Sequence, residues 1–266
     1  MTRISVVVPV KDDARELEHC LEALTRQTRP AHEIIVVDND SADDSSEVAA
    51  RYGAIVVTEL RKGIWAAASS GFDTASGDIL ARCDADSRPG TDWLERIGAA
   101  LDARPEAVAV TGPGRFYDLS TPMRVLADVF YMRAYFWLTR GALANHPLFG
   151  SNFAIRASVW NDVKGDVHRH DPEVHDDFDL SYHLDPACTV LVDRDIVVGI
   201  SARPFSDRAA MLLRTRRAVH TVAVHGLRGQ PVFRWRRRLL RTRGPQARPL
   251  AVSGARAAEA DRPGVA

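Results

Sequence analysis

Two aspartates in the first third of the chain have the spacing of a metal site. Asp84 and Asp86 end an apolar stretch, residues 79–86, which reads I-L-A-R-C-D-A-D. On an extended backbone, residues two apart share a side, so the two carboxylates converge. Converging carboxylates repel one another unless a cation separates them, and Mg²⁺ and Mn²⁺ prefer oxygen ligands. The pair indicates a metal that in turn holds phosphate, although the same triplet is as common in surface turns.

A second group of ionisable side chains lies at residues 168–179, which read H-R-H-D-P-E-V-H-D-D-F-D. On its own, this segment is typical of a solvated acidic turn before a helix that starts at Phe178. Histidines in and after it could bind a metal, but loop histidines are more often solvated, and His220 is more typical of a surface helix. The candidate metal or phosphate ligands are His168, His170, His175, His183, His220 and His225.

Strands that alternate with helices position these residues. A continuous β-branched run at residues 4–10 is followed by a polar loop and a helical pattern, and a second copy of this order follows. The alternation predicts an α/β fold with a mostly parallel, Rossmann-like central sheet flanked by helices. Strands are predicted at residues 4–10, 33–37 and 54–58 and from residue 79, with helices at 45–52 and 64–74.

Polar segments follow three of these predicted strands. They are residues 11–13, 38–41 and 84–86, and all three carry acidic or amide side chains. In sheets of this kind, ligands bind outside the carboxyl ends of the strands. The three segments are therefore predicted to form one site.

The second half of the chain continues the pattern. Residues 122–140 indicate a long, aromatic-rich helix whose charges do not fall on one face, so the pattern fits burial in a core and contact with a lipid interface equally. The other predicted elements are a helix at 93–101, a strand at 107–111, a turn and short strand at 149–156, a helical turn at 157–163, and a closing pair of strands at 189–192 and 196–200.

The composition of the 266 residues, 45% hydrophobic and 26% charged, is that of an ordinary soluble globular protein. No apolar run reaches the ~18 residues needed to cross a bilayer. Cys20, Cys83 and Cys188 are widely spaced and form no C-x-x-C pair, which argues against both a disulfide framework and a structural zinc site. Because the N-terminus also lacks a signal-peptide pattern, a cytoplasmic location is expected.

Positive charge is concentrated near the C-terminus. Thirteen arginines, no lysine and one acidic residue lie between Arg203 and Arg248. This segment could be a solvated basic tail, a nucleic-acid contact or an anchor on anionic lipid. Phe233, Trp235 and Leu239 supply an apolar side, which favours weak association with the inner face of the plasma membrane. No recognised nucleic-acid-binding fold accompanies the charge, so nucleic acid is not expected as a partner.

Five motifs follow one another over about residues 4–202. They read V-V-V-P-V-K-D-D, I-I-V-V-D-N-D-S-A-D-D-S, K-G-I-W-A-A-A-S-S-G-F-D-T-A-S-G-D-I-L-A-R-C-D-A-D, G-S-N-F-A-I-R and H-D-D-F-D-L. In this order they resemble the family 2 glycosyltransferases of the GT-A fold. The expected organisation is a GT-A domain at residues 1–205, a basic helical extension at 206–243 and a disordered tail at 244–266.

The resemblance implies a metal-dependent, inverting enzyme that moves a sugar from a nucleotide-diphosphate sugar to a hydroxyl group of a glycan or lipid-linked acceptor. Asp38 would accept a hydrogen bond from the nucleotide base, and Asp84 would approach the ribose or the metal. Asp86 would ligate the divalent metal, Mn²⁺ or Mg²⁺, that neutralises the departing diphosphate. Lys11 stands where the family often has an aromatic residue, which argues against base stacking. The other residues expected beside the nucleotide are Pro9, Val10, Asp12, Lys62 and Gly63.

The resemblance also implies an acceptor side. An acceptor hydroxyl must lose its proton as it attacks the anomeric carbon, and a positioned carboxylate can take it. Asp177 matches the family's catalytic base, and the neighbouring charge of Asp176 is expected to raise its pKa. The segment Gly150, Ser151 and Asn152 matches the acceptor-side lining, where glycine permits a close backbone approach.

Two other functions stay open on the sequence. A non-catalytic nucleotide-sugar or carbohydrate-binding protein could use the same fold, but it would not need the base Asp177. A sugar nucleotidyltransferase also uses paired carboxylates and a metal. It would normally carry a glycine-rich, basic phosphate loop after the first strand, whereas this chain has Lys11, Asp12 and Asp13 there.

Overall fold

The computed structural model describes residues 2–203 and 208–241. The predicted disordered tail and the ends of the predicted extension, residues 206–207 and 242–243, lie outside the described residues, and the predicted domain limits stay predictions. The strands are β1 (Ile4–Val10), β2 (Glu33–Asp38), β3 (Ile55–Thr58), β4 (Ile79–Arg82), β5 (Arg88–Pro89), β6 (Ala107–Thr111), β7 (Gly114–Phe116), β8 (Phe153–Arg156), β9 (Thr189–Val192) and β10 (Val198–Ile200). The helices are α1 (Ala14–Thr25), α2 (Ser45–Arg51), α3 (Ile64–Thr74), α4 (Trp93–Asp102), α5 (Thr121–Ala127), α6 (Arg133–Leu143), α7 (Ala157–Val163), α8 (Asp176–His183), α9 (Arg208–Val224), α10 (Gly226–Gly229) and α11 (Pro231–Arg241).

Strand β1 runs through the middle of the molecule and is buried on both faces. Successive side chains of a strand point to opposite faces, so β1 contributes to two cores. Val6 and Val8 belong to the core that contains Leu21 of α1, whereas Val7 belongs to the core that contains Phe72 of α3. Helices cover both faces, which explains why the run at residues 4–10 is continuously apolar rather than alternating.

The main sheet has seven strands in the order β3-β2-β1-β4-β8-β6-β9. Strands β1, β2, β3 and β4 pair in parallel, and so do β6 and β9, whereas β8 is antiparallel to both of its neighbours. The prediction of a mostly parallel central sheet is confirmed. Because β8 is antiparallel, its first residue, Phe153, pairs with Arg82 at the end of β4. Residues 150–152 therefore reach the same edge of the sheet as the segment after β4.

A second sheet has three strands in the order β5-β10-β7. The predicted pairing of residues 189–192 with 196–200 is wrong, because β9 pairs with β6 and β10 pairs with β7 and β5. The chain after β9 follows the chain after β6 instead of turning back on itself. Two backbone hydrogen bonds hold it there: the nitrogen of Asp193 donates to the oxygen of Thr111, and that of Val198 donates to the oxygen of Pro113.

Residues 121–143 form one helical rod, in which a π-helical turn at Asp128–Met132 separates α5 from α6. Part of this rod packs against the protein and part is exposed, whereas contact with a lipid interface stays a prediction. Tyr135 packs against Phe149 beside the sheet, whereas Phe130, Trp137 and Leu138 are exposed. In the described part of the chain, no helix is both long and apolar enough to cross a bilayer.

Candidate active site

Asp84 lies on the loop that follows β4, and protein side chains hold both of its carboxylate oxygens. Arg82, the last residue of β4, is only 2% exposed, and its Nη2 donates to Oδ1 of Asp84 at 2.9 Å. The hydroxyl of Ser151 donates to Oδ2 of Asp84 at 2.6 Å. Asp84, predicted on the donor side, and Ser151, predicted on the acceptor side, are therefore in direct contact.

Asp86 lies beside a guanidinium group from a distant part of the chain. Nη2 of Arg203 is 3.1 Å from Oδ2 of Asp86 and 2.6 Å from Oδ2 of Asp13. Burial raises the pKa of Asp86, the charge of Asp84 raises it further, and Arg203 only partly offsets both effects. Positive charge is thus favoured at this point, and the oxygen-only donor set of Asp84 and Asp86 fits the preference of Mn²⁺ or Mg²⁺.

The ends of β1 and β2 form the neighbouring part of the site. Oδ1 of Asp12 accepts from the backbone nitrogen of Ala42 at 2.7 Å, which joins the loops after these two strands. Asp38 accepts from the backbone nitrogen of Ser41 at 2.9 Å and from the hydroxyl of Ser46. Burial alone would raise the pKa of Asp38, but these hydrogen bonds lower it. The backbones of Pro9 and Val10 pair with those of Val37 and Asp38 at the same edge.

Asn39 shapes the loop that carries Lys62 and Gly63. Its Nδ2 donates to the backbone oxygens of Glu59 and Arg61, both at 2.7 Å, and its Oδ1 accepts from the nitrogen of Gly63 at 2.9 Å. Gly63 has φ 133°, a backbone conformation that favours glycine. Lys62 and Gly63 thus line a groove beside α3, with Arg169, Asp171 and Arg217 among the residues of its lining.

Asp177 lies in the first turn of α8 and is 5% exposed. Its Oδ2 accepts from the backbone nitrogen of Gly150 at 2.7 Å and from the hydroxyl of Tyr135 at 3.2 Å. Its Oδ1 is 2.9 Å from Nδ1 of His175. Burial and the charge of Asp177 raise the pKa of Tyr135 well above its ordinary value, so its phenol keeps the proton that it donates. The predicted base is therefore held in one orientation.

Arg82 also joins Asp84 to the predicted base. Its Nη1 is 2.5 Å from Oδ2 of Asp176, which is buried next to Asp177. The segment is therefore not the solvated acidic turn that its sequence alone suggested. Burial would raise the pKa of Asp176, but Arg82 and His175 lower it well below its usual range. These two cations compensate the charge that the sequence places beside Asp177, whereas the expected effect of Asp176 on the pKa of Asp177 stays a prediction.

Two predicted acceptor-side residues have different roles. A Cβ atom on Gly150 would lie 3.0 Å from Oδ2 of Asp177 and 3.3 Å from Nη1 of Arg82, so the close approach expected of this glycine is present. The side chain of Asn152, by contrast, is fully buried. It accepts from Trp93 and donates to the backbone oxygens of Pro113 and Ile196, so it ties the two sheets together and does not face an acceptor.

Comparison with known sequences decides the family. A sequence model described as "Glycosyl transferase family 2" matches residues 5–160, which is more than half of the chain. The chain belongs to this family. Glycosyltransferase AglE of Haloferax volcanii is 38% identical over 101 residues, which cover 35% of this chain and 33% of AglE. An uncharacterized glycosyltransferase of Mycobacterium tuberculosis is 37% identical over 105 residues, which cover 40% and 46% of the two chains. The chain thus spans less than half the length of these relatives.

Solved structures show the fold of this family 2 chain. One is mannosyltransferase PcManGT of Pyrobaculum calidifontis in complex with GDP-Man and Mn²⁺, which superposes with a TM-score of 0.60 at 23% sequence identity. The aligned region covers 83% of this chain and 62% of PcManGT. Another is glucosyl-3-phosphoglycerate synthase of Mycobacterium tuberculosis with Mn²⁺, UDP and glucosyl-3-phosphoglycerate, which has a TM-score of 0.57 at 20% sequence identity. The aligned region covers 83% of this chain and 78% of the synthase. The likeness confirms the predicted GT-A fold.

Four site residues of this family 2 chain were missed on the sequence. Arg82 had a signal, because it is the one charged residue in the apolar strand I-L-A-R. Asn39 stood inside a segment already predicted to face the ligand. Tyr135 and Arg203 gave no local signal, since each reaches the site from an element far along the chain.

Proposed function

We propose that this chain is a metal-dependent, inverting glycosyltransferase that moves a sugar from a nucleotide-diphosphate sugar to a hydroxyl acceptor. One observation carries the proposal: the donor-side Asp84 and the candidate base Asp177 are joined through Arg82 and through the loop that carries Gly150 and Ser151. Arg82 links Asp84 to Asp176, the neighbour of Asp177. Consecutive residues of one loop, Gly150 and Ser151, donate to Asp177 and Asp84 respectively.

The donor half of this proposal rests on the strand ends. Asp12, Asp38 and the loop shaped by Asn39 would border the nucleotide at the ends of β1, β2 and β3. Asp84 and Asp86 would hold Mn²⁺ or Mg²⁺, which supplies Lewis-acid neutralisation of the leaving diphosphate. The nucleotides and Mn²⁺ bound by PcManGT and by glucosyl-3-phosphoglycerate synthase support this assignment.

The acceptor half rests on Asp177. Its Oδ2 accepts from the backbone nitrogen of Gly150 and faces the hydroxyl of Tyr135, which lies 3.2 Å both from this oxygen and from the backbone oxygen of Leu148. Oδ1 faces His175 and keeps one lone pair for the proton of the attacking hydroxyl. Direct attack on the anomeric carbon, opposite the leaving diphosphate, inverts its configuration. A protein that only binds sugars would not need a buried carboxylate oriented in this way.

The acceptor class and location rest on the last described helix. In α11, Arg234, Arg237, Arg238 and Arg241 face the protein and bind backbone oxygens or Asp185. These arginines are therefore not the lipid contacts predicted from the sequence. The opposite face exposes apolar side chains together with one arginine. Its residues are Val232, Phe233, Arg236, Leu239 and Leu240.

An exposed apolar helix face of this kind fits the boundary between lipid head groups and acyl chains. The neighbouring helix α6 adds exposed Trp137 and Leu138. We therefore retain the proposal that the protein works in the cytoplasm at the inner face of the plasma membrane, on a glycan or lipid-linked acceptor. The apolar face of α11, rather than its arginines, would make the contact.

Sedimentation with vesicles tests this contact. Replacing Phe233 and Leu240 by serine should reduce binding to vesicles that contain phosphatidylglycerol, whereas Val219→Ser, which removes an exposed apolar side chain from α9, should not. Deleting α11 would be a poorer test, because Arg234 caps the backbone oxygens of Leu143, Tyr182 and Leu184. Equal vesicle binding by the parent and the double variant would contradict the proposal that the apolar face of α11 contacts the membrane.

A screen of nucleotide sugars tests the catalytic proposal. Hydrolysis and transfer are measured with Mn²⁺ or Mg²⁺ for the parent, Asp86→Ala and Asp177→Asn. Asp86→Ala should lose metal-dependent donor binding, and Asp177→Asn should keep donor binding but lose transfer. Asp162→Asn, an exposed change on α7, serves as the matched control. Transfer at the parental rate by Asp177→Asn would show that the base is another group.

A further inference from the structure

We propose that His168, Asp179, His183 and His225, here called the histidine cluster, form a Zn²⁺ site separate from Asp84 and Asp86. Each residue offers one ligand atom, and the four atoms all lie within 4.8 Å of one another. The sequence marked these histidines among six candidates without showing which ones converge. The other three lie elsewhere: His170 contacts Arg61, His175 contacts Asp177, and His220 contacts Asp171.

Nitrogen atoms of the three histidines lie around one carboxylate oxygen of Asp179. Oδ1 of Asp179 is 2.7 Å from Nδ1 of His168, 2.9 Å from Nε2 of His225 and 3.6 Å from Nε2 of His183. Tetrahedral Zn²⁺ with bonds of about 2.0–2.1 Å needs ligand atoms about 3.3 Å apart. The three distances from Asp179 lie within about 0.6 Å of that separation, so small movements of the rings would bring these contacts to it.

The carboxylate of Asp179 is oriented so that one oxygen is left for the imidazoles. Its Oδ2 accepts from Nε1 of Trp65 at 2.8 Å and from the backbone nitrogen of His168 at 2.9 Å. Oδ1 then faces the three rings. Outer hydrogen bonds that fix a ligand in this way are a regular feature of protein metal sites.

His183 supplies an independent observation. Its Nε2 is buried and has no hydrogen-bond partner among the described residues, although the ring points into the histidine cluster. A buried polar atom without a partner destabilises the folded protein. Coordination to a metal would satisfy this nitrogen. Three nitrogen ligands favour Zn²⁺ over Mg²⁺ or Mn²⁺, which prefer oxygen.

The position of the histidine cluster suggests what the ion would do. Asp179 and His183 lie on α8, which also carries Asp177, and His168 lies on the segment before α8. His225 lies between α9 and α10, where Tyr182 stacks on its ring at 4.3 Å. Zn²⁺ would therefore fasten the C-terminal helices to the helix of the candidate base. This site departs from the expectation that three scattered cysteines exclude structural zinc, because its ligands are histidines.

Metal titration of the full chain, purified without a histidine tag, tests the proposal. One equivalent of Co²⁺ should give the visible absorption of a tetrahedral site, and Zn²⁺ should displace it and raise the melting temperature. His183→Gln and His225→Gln should each lose the absorption and the rise in melting temperature. His220→Gln, which changes a histidine on α9 outside the cluster, should keep both.

Two further results decide whether the histidine cluster is the site. Asp86→Ala should give the same tetrahedral Co²⁺ absorption as the parent, because the histidine cluster does not include the residues proposed for the catalytic metal. A parent chain without tetrahedral Co²⁺ absorption, with a melting temperature unaffected by Zn²⁺, would overturn the proposal and leave a metal-free ion-pair network. Absorption that persists in the His183→Gln, His225→Gln double variant would overturn it too. Circular dichroism confirms that each variant is folded.

Discussion

The backbone nitrogen of Gly150 lies 2.7 Å from Oδ2 of Asp177, so the loop before β8 fixes the candidate base directly. The next residue of the loop, Ser151, donates to Asp84 on the donor side. A single short segment therefore sets the separation of the two halves of the site. Small changes in this segment are expected to affect transfer more than folding.

Gly150→Ala tests this relationship. The new Cβ would lie 3.0 Å from Oδ2 of Asp177 and 3.3 Å from Nη1 of Arg82, so both groups must give way by a few tenths of an ångström. We expect kcat to fall by roughly tenfold or more, because catalytic groups tolerate little displacement. Gly165→Ala is the matched control, since nothing lies within 4 Å of its Cβ position. If both variants retain the parental kcat, Gly150 does not position the base.

Asp177→Asn should lower kcat by about 10²–10⁴-fold, the usual contribution of a general base. The amide can still accept hydrogen bonds from Gly150 and Tyr135, so the loop should stay in place. Donor affinity, measured by titration calorimetry, should match that of the parent. A loss of donor binding equal to the loss of transfer would instead indicate that Asp177 holds the loop and not the proton.

The parts of the site that could be predicted are those with a local signal. The β-branched run of β1 and the acidic residues after β2 and β4 indicated the sheet and the edge at which Asp38, Asp84 and Asp86 are predicted to act. The parts that were missed depend on packing between distant segments. Strands β5 and β7 have two and three residues, which are too few to show a period.

Charge compensation was the other feature that the sequence could not supply. Adjacent aspartates at positions 176 and 177 predicted mutual repulsion, yet Arg82 reaches Asp176 from the end of β4. Which cation lies next to a buried carboxylate depends on tertiary contacts, and the direction of the pKa shift follows from that cation. The same holds for Arg203 beside Asp86.

Arg82→Met should destabilise the protein by about 3–5 kcal/mol, because it removes the cation beside Asp84 and one of the two cations beside the buried Asp176. The partners are Asp84 at 2.9 Å and Asp176 at 2.5 Å. Urea denaturation gives the free energy of unfolding. Arg3→Met removes an exposed ion pair with Asp78, so it should cost much less than Arg82→Met. Equal losses for the two variants would mean that burial of the Arg82 pairs has no special effect.

His175 should make stability depend on pH. Burial would lower its pKa, but Asp177 and Asp176 outweigh burial and raise the pKa from 6.5 to about 10 in the folded protein. Because the folded value is above the unfolded one, the stabilisation is fully present below pH 6.5 and is lost as pH rises toward 10.

The free energy of unfolding of the parent and of His175→Gln, measured across this range, checks the sign. The difference between them should be largest near neutral and lower pH and should shrink as pH approaches 10. An imidazole that titrates near its ordinary value in NMR spectra of the folded protein would contradict the prediction.

Arg203→Gln should increase the affinity of the free protein for Mn²⁺. The guanidinium group lies against Asp86 and Asp13 and competes with a metal for the same carboxylate oxygens. Without this guanidinium group, the electrostatic potential at Asp86 is more negative, which favours a cation there. Burial and the charge of Asp84 already disfavour the ionised form of Asp86 when no cation is close. Electron paramagnetic resonance of free Mn²⁺ measures the change. Arg88→Gln, which removes a guanidinium bound to Glu16 and not to Asp86, is the control. Weaker Mn²⁺ binding in Arg203→Gln would show that Arg203 supports the metal site and does not compete for it.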